Sequence, residues 1–245
     1  MLGLVLILTF PILLALGYGG LYMLSYFLGR GREALDQSGF LLYPLFLAVP
    51  FGVALSTAYR DGAPADLGVA QFRAFGLSPF VGLMVILIVG TTTGFLFFYN
   101  ELYLSRILSR LTRRSAFVHR LSEGKSEEAV LQLQQGSLVL FLIVSLFIAF
   151  AEEFLWRAYL LHYLGRRLSL PLGLALLISA ASFGLNHYYF GLRNVFLKTL
   201  TGLLWGGLYL VTSSLLVCVV SHFTFNCAAL LRQATHAPDK DQMGG

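Results

Sequence analysis

Long apolar runs separated by short polar connections account for most of this chain. Seven such runs lie at about 2–28, 39–59, 78–103, 136–161, 171–190, 195–212 and 214–231. Most of them reach the roughly 20 residues that a helix needs to cross the hydrocarbon core of a bilayer. The pattern therefore predicts an all-α, polytopic transmembrane bundle of about seven helices, with six to eight as the range.

The last three runs are shorter than most of the others and follow one another closely. In a membrane, a tilted or broken helix is tolerated where it packs against protein or lines a cavity, because lipid cannot satisfy its free backbone groups. We therefore expect the final part of the chain to surround a polar intramembrane cavity.

Composition supports a membrane protein and argues against other classes. Hydrophobic residues make up 57% of the chain and charged residues only 12%, which is unlike a water-soluble globular domain. Many of the basic residues behind the net charge of +5 lie in short connections, where they act as topology signals, so the charge predicts no nucleic-acid partner. Cys218 and Cys227 lie in one apolar run and are interpreted as small buried hydrophobic residues.

The third connection is strongly basic, and basic connections favour the cytoplasmic side of a membrane. With seven spans, this places the amino terminus outside and the carboxyl terminus inside. Leu104, Ile107, Leu108 and Leu111 follow helical spacing there, which fits either an amphipathic helix on anionic headgroups or a helical extension of the third span. The basic residues of this connection are Arg106, Arg110, Arg113, Arg114, Arg120 and Lys125.

The chain divides into three regions on these patterns. Residues 1–135 contain the N-terminal membrane helices and the basic connection, residues 136–232 form a membrane core that carries the unusual polar residues, and residues 233–245 form a polar tail. We expect a multi-pass integral membrane protein of the bacterial inner, or cytoplasmic, membrane.

The fourth run contains three charged residues in an otherwise apolar helix: Glu152, Glu153 and Arg157. A single charged side chain at a helix centre costs about 2.5–3.5 kcal/mol on insertion scales, so this group needs internal partners, water or a function. Glu153 and Arg157 are spaced i,i+4 and can neutralise each other, whereas Glu152 points about 100° away around the helix and is left for another task. Alternatively, all three mark the interfacial end of the helix and extend to the headgroups.

Two later runs supply further polar residues. The fifth contains Phe183-Gly-Leu-Asn-His187, and the seventh contains His222 and Asn226 at i,i+4 spacing. A lone histidine in a membrane helix is more often a hydrogen-bonded core residue than a catalyst. Three separate helices that together provide a carboxylate base, imidazoles and an amide donor instead match the parts of a hydrolytic site.

Gly202 and Gly206 have a simpler interpretation. They lie four residues apart in the sixth run. Small residues at this spacing allow two membrane helices to approach closely. We expect them to serve helix packing and not chemistry.

The polar residues resemble the pattern of a known family, the CPBP or Abi membrane proteins. This family includes the Rce1-type CAAX prenyl endopeptidases and proteins linked to bacteriocin processing and self-immunity. Its pattern is Glu-Glu-x-x-x-Arg, then Phe-x-x-x-His, then His-x-x-x-Asn. All three motifs occur here in order, as Glu152-Glu153-Phe-Leu-Trp-Arg157, Phe183-Gly-Leu-Asn-His187 and His222-Phe-Thr-Phe-Asn226. The resemblance covers about residues 136–231.

The resemblance implies an intramembrane endopeptidase that depends on glutamate. Glu152 and His187 would activate a water that attacks the scissile carbonyl, and Glu152 would later deliver the proton to the leaving amine. His222 and Asn226 would donate hydrogen bonds to the oxyanion. The supporting residues would be Glu153, Arg157 and Phe183, the last packing beside the site.

A metal-dependent mechanism is the alternative chemistry, because family members have also been described as metalloproteases. One glutamate and two histidines, here Glu152, His187 and His222, resemble a zinc ligand set. The His-Glu-x-x-His spacing of many zinc proteases is absent from this chain, so we favour catalysis without a metal or other cofactor.

Two other functions use the same residues. The chain could be a non-proteolytic immunity or scaffold protein of the membrane, or a proton-coupled transporter, since buried Glu and His chains also relay protons. Neither requires Asn226 beside His222. The expected partners of a protease are the lipid bilayer and a membrane-associated protein or peptide: a prenylated carboxyl terminus, a bacteriocin-like leader or a carboxyl-terminal sorting helix.

Overall fold

The structure is a computed structural model, which describes residues 5, 7, 9, 10, 13, 31–60, 78–112 and 138–236. Six α-helices have bounds within these residues, and no β-strand occurs in them. The predicted all-α class is therefore confirmed. The helices are α1 (Gly31–Arg60), α2 (Pro79–Thr112), α3 (Leu138–Glu153), α4 (Leu172–Leu185), α5 (Leu192–Thr212) and α6 (Leu215–His236).

Several helices are long and apolar enough to cross a membrane, so the protein is a multi-pass membrane protein. Four such spans occur in the described residues, at Phe80–Arg110, Leu138–Arg167, Leu192–Thr212 and Leu215–Arg232. They correspond to the third, fourth, sixth and seventh apolar runs. The fifth run forms a shorter helix that ends at Leu185 and is followed by a 3-10 turn at Tyr188–Phe190, in agreement with the expectation of a short or broken segment.

The other predicted segments are described in part. The second run lies within α1, which contains Pro44 and Pro50. The first run lies almost wholly outside the described residues, as do the third connection beyond Thr112 and the last part of the polar tail. Arg106 and Arg110 belong to α2, so the start of the third connection continues the helix of the third span. The tail predicted from residue 233 begins later, because α6 continues to His236.

A π-helical segment continues α3 without interruption. It covers Phe154–Leu161, and a second segment follows at Tyr163–Arg167. All eight residues of the first segment are buried, and the backbone amide of Leu168 bonds to the carbonyl of Tyr163 five residues earlier, at 3.1 Å. The π-helix is rare and often occurs at functional sites. It begins here directly after Glu152 and Glu153, a feature that the apolar pattern did not predict.

Glycines allow two pairs of helices to pack with backbones close together. A Cβ atom on Gly90 of α2 would lie 2.7 Å from the Cβ of Val220 on α6, and one on Gly94 would lie 2.7 Å from the Cβ of Thr224. On α5, a Cβ on Gly202 would lie 3.2 Å from the Cα of Ala180 on α4. Gly206 leaves similar room for Leu176 of α4. The packing role predicted for Gly202 and Gly206 is confirmed.

The helix α3 and its π-helical continuation lie at the centre of the bundle. Together they contact α1, α4, α5 and α6. The buried core around them contains Trp156, Phe154, Phe183 and Trp205. Polar residues of α3 near Glu153 can therefore meet side chains from four other helices.

The basic third connection predicts which side of the membrane the two ends of α3 face. At a rise of about 1.5 Å per residue, Glu152 lies about 21 Å from Leu138, past the middle of a hydrocarbon core of roughly 30 Å. A cytoplasmic third connection then places Glu152 in the non-cytoplasmic half. In a variant with Cys218 and Cys227 replaced by alanine, we expect a single cysteine at Gly165 to react with an impermeant thiol reagent on intact cells, and one at Ser115 to remain unlabelled.

Permeabilised cells are the positive control, because both cysteines should react with the reagent there. Gly165 is suitable because a Cβ there would have no atom of a described residue within 4 Å. Labelling of Ser115 but not of Gly165 on intact cells would invert the orientation.

Candidate active site

Glu153 and Arg157 form a buried ion pair one turn apart. Arg157 Nε lies 3.1 Å from Glu153 Oε2, and the side chains are 1% and 0% exposed. The guanidinium carbon of Arg157 also lies 4.4 Å from the ring centroid of Phe183, a cation–π distance. The charges of α3 are thus compensated within the protein, and neither side chain extends toward a headgroup.

His222 of α6 lies against both glutamates. Its Nδ1 is 2.8 Å from Glu153 Oε1, and its Nε2 is 3.5 Å from Glu152 Oε2. The imidazole stacks on the indole of Trp205, with centroids 4.1 Å apart and an interplanar angle of 21°. Trp205 is held in turn by a 3.0 Å hydrogen bond from its Nε1 to Ser221 Oγ. Contact with Glu153 at the ring edge and stacking on Trp205 at the ring face therefore fix the orientation of His222.

Glu152 has a different set of partners from Glu153. The hydroxyl of Tyr43 on α1 donates a hydrogen bond to Glu152 Oε1. Asn186, the residue after α4, directs Nδ2 to the same oxygen at 3.4 Å and donates to Tyr43 Oη at 2.5 Å. Glu152 is only 2% exposed. Its carboxylate is therefore held by neutral hydrogen-bond donors, whereas an arginine neutralises that of Glu153.

His187 lies where α4 has ended and the 3-10 turn begins. Its Nδ1 is 3.0 Å from the carbonyl oxygen of Phe183. A carbonyl can only accept, so Nδ1 carries the hydrogen, and Nε2 of the neutral ring keeps its lone pair. The Phe183 ring contacts both His187 and His222, with centroid distances of 5.0 and 6.1 Å. The neutral His187 ring thus has the tautomer that a base requires.

Most of the predicted site residues come together, but not all of them touch. Glu152, Glu153, Arg157, Phe183 and His222 form one connected cluster. His187 joins it through Phe183, and within the described residues it makes no direct hydrogen bond to Glu152. Asn226 lies one turn after His222 on α6 and is partly exposed; its side chain has no hydrogen bond to another residue that the structure describes.

Sequence reasoning missed three members of this cluster: Tyr43, Asn186 and Trp205. Asn186 directly precedes His187, so its polarity in an apolar run was a usable signal. Trp205 lies between Gly202 and Gly206, a position that indicates a packing residue. Tyr43 is 109 positions before Glu152, and nothing in the local pattern joins the two.

The alternative zinc ligands do not form a metal-binding group here. Across the described residues, no three His, Cys, Asp or Glu side chains are arranged to hold a metal ion. Glu152, His187 and His222 therefore do not fit a zinc site in this arrangement. We derive no catalytic step through a metal.

Comparison with known proteins gives a family match over part of the chain. Residues 134–228 match the family model described as type II CAAX prenyl endopeptidase, Rce1-like. No curated protein and no solved structure matches the chain. All three motifs lie inside the matched range, so the resemblance drawn from them is confirmed. The match also supports a protease in general terms.

The buried ion pair makes a prediction about stability. We expect Glu153→Ala and Arg157→Ala each to lower the yield and melting temperature of the membrane-inserted protein, because each leaves the other charge buried without its partner. Such losses typically cost about 3–5 kcal/mol. Arg166→Ala, an exposed arginine farther along the same helix, is the matched control. Wild-type yield and melting temperature in both core variants would refute the structural role of the pair.

Proposed function

Because residues 134–228 belong to the Rce1-like family, we propose that this membrane protein is an intramembrane endopeptidase in which Glu152 activates the attacking water. The family supports a protease, and the polar cluster supplies the groups that peptide hydrolysis requires. The substrate would be a membrane-associated protein or peptide, since the cluster is buried within apolar helices.

The observation that carries this proposal is the difference between two adjacent glutamates. Glu153 is neutralised by Arg157 at 3.1 Å and bound to His222 at 2.8 Å. Glu152 contacts no arginine or lysine among the described residues; its hydrogen-bond donors Tyr43 and Asn186 are neutral, and His222 Nε2 lies 3.5 Å from its other oxygen. A carboxylate paired with a guanidinium is a poor proton acceptor, because the pair stabilises its charged form. Glu152 is the better general base.

Hydrolysis would begin with a water held beside Glu152 and His187. Glu152 Oε2 and the Nε2 lone pair of His187 can each accept a hydrogen bond from it. As the water oxygen bonds to the scissile carbonyl carbon, its proton passes to Glu152. The carbon–nitrogen bond of the tetrahedral intermediate then breaks, and Glu152 returns the proton to the leaving amine nitrogen.

His222 and Asn226 would stabilise the oxyanion of that intermediate. The His222 hydrogen bond to Glu153 uses Nδ1, which leaves Nε2 as the ring atom on the Glu152 side. Nε2 would donate to the oxyanion in the form of the ring that carries both N–H groups. The Asn226 amide would supply a second donor. A single oxyanion donor is worth about 2.7–4 kcal/mol in a well-measured protease.

Three substrate classes agree with this chemistry: a prenylated carboxyl terminus, a bacteriocin-like leader and a carboxyl-terminal sorting helix. All three present a peptide bond at or within the membrane. A comparison of membrane-protein termini in cells with and without this protein would identify the cleaved bond. The prenyl endopeptidases named in the family description direct the search to prenylated termini as well.

The terminus comparison also tests the catalytic assignment. We expect new termini that depend on the wild-type protein to disappear with Glu152→Ala and with His187→Ala, while both variants accumulate in the membrane at normal levels. The reason is that both residues act on the water, and neither belongs to the ion pair. His162→Ala, a histidine ten residues after Glu152, is the matched control and should keep cleavage.

Either catalytic variant that retained wild-type cleavage would overturn this assignment. If neither the wild-type protein nor any folded variant produced new termini, the immunity or scaffold role would be favoured over a protease.

The metal question has its own test. We expect purified protein to keep its activity after extensive chelator treatment and to contain substoichiometric zinc by elemental analysis. The physical reason is that Glu152, His187 and His222 do not form a ligand group in the described residues. Activity that is lost on chelation and restored by zinc would make these three residues ligands and would replace the mechanism above.

A further inference from the structure

A tyrosine from outside the matched region makes direct contact with the catalytic glutamate. Tyr43 belongs to α1, whereas the family match begins at residue 134. Its hydroxyl donates to Glu152 Oε1, and no motif of the sequence includes it. No step of the proposed hydrolysis involves it. The catalytic cluster therefore includes a group that the N-terminal helices supply.

The hydrogen bonds around Tyr43 have only one consistent direction. A phenol has a single hydrogen to donate, and its oxygen can also accept. Asn186 donates to Tyr43 Oη at 2.5 Å, so the oxygen acts as the acceptor on that side. The phenolic hydrogen is then left for the carboxylate. The chain of donors runs from Asn186 to Tyr43 to Glu152.

These hydrogen bonds restrain Oε1 of Glu152 and leave Oε2 without a hydrogen-bond donor among the described residues. Both donors, Tyr43 and Asn186, are directed to Oε1. Oε2 lies 3.5 Å from His222 Nε2 and accepts no hydrogen bond from a described residue. A carboxylate with one oxygen held can rotate little about its last bond. Oε2 is therefore presented in a fixed direction, next to the histidine.

We propose that Tyr43, held by Asn186, is a positioning residue that fixes Glu152 Oε1 so that Oε2 takes the proton from water. This inference rests on the proposed protease function and assigns the N-terminal region a part in it. Without the phenol, the carboxylate would sample other rotamers, and a misplacement of about 1 Å can cost roughly 100-fold in rate. Substrate binding would be little affected, because Tyr43 acts through Glu152.

The central variant is Tyr43→Phe, which removes one hydroxyl and keeps the ring. We expect kcat to fall about 10- to 100-fold at unchanged KM, while the protein still folds and accumulates in the membrane. The assay uses purified protein in detergent and a peptide that spans the bond identified in the terminus comparison. Tyr59→Phe is the matched control, since Tyr59 lies on the same helix and is 78% exposed. Asn186→Ala should also lower kcat. The variant that combines Tyr43→Phe with Asn186→Ala should have a kcat only slightly below that of either single variant.

A second measurement tests the contact without relying on activity. The melting temperatures of Tyr43→Phe, Glu152→Gln and the double variant form a cycle, in which residues in contact give non-additive changes. We expect the double variant to change less than the sum of the single variants. Additive changes would overturn the inference, and so would wild-type kcat in Tyr43→Phe.

Glu152→Gln separates failure of this inference from failure of the proposed function. If Glu152→Gln is inactive and Tyr43→Phe is as active as wild type, Tyr43 has no positioning role and the protease assignment stands. If Glu152→Gln is as active as wild type, Glu152 is not the base, and the role of Tyr43 falls with that assignment. If the wild-type protein cleaves nothing, the proposed function is wrong, whatever the melting-temperature cycle shows about the contact.

Discussion

The structure depends on how charge is compensated in the buried interior of a helix bundle. Three charged side chains lie within six residues where α3 passes into its π-helical continuation, and each is at most 2% exposed. Their partners come from other helices: His222 from α6, the Phe183 ring from α4, and Tyr43 from α1. Since an isolated buried charge is strongly unfavourable, these helices are held against α3 by the need to satisfy it. Helix arrangement and site geometry therefore have the same physical cause.

The same constraint makes two neighbouring glutamates chemically different. One turn of helix separates Glu153 from a guanidinium, and that spacing alone assigns it to the ion pair. Glu152, on another side of the helix, accepts hydrogen bonds from an amide and a phenol and lies beside the imidazole of His222 without a guanidinium partner. Amides and phenols hold a carboxylate in place without neutralising it, so its capacity to accept a proton is retained. The hydrolytic role proposed for Glu152 rests on its neighbours more than on the residue itself.

Much of this arrangement was predictable from one sequence, because its rules are local. The lengths of the apolar runs predicted the membrane spans. The i,i+4 spacing predicted the pairing of Glu153 with Arg157, and the spacing of Gly202 and Gly206 predicted a close contact between helices. The contacts of Tyr43 and the stacking of Trp205 on His222 were not predictable, since helical spacing says which face a residue occupies but not which neighbour it meets. The π-helical continuation of α3 also has no signature in the hydrophobic pattern.

The glycine contacts bear on how a peptide reaches a buried site. Dispersion attraction declines within an ångström of separation, so helices joined backbone to backbone at glycines lose most of it if they move apart. Gly90 and Gly94 join α2 to α6 in this way, and Gly202 joins α5 to α4. Any opening of the bundle would therefore keep α2 with α6 and α5 with α4, so a peptide would pass between these pairs and not through them.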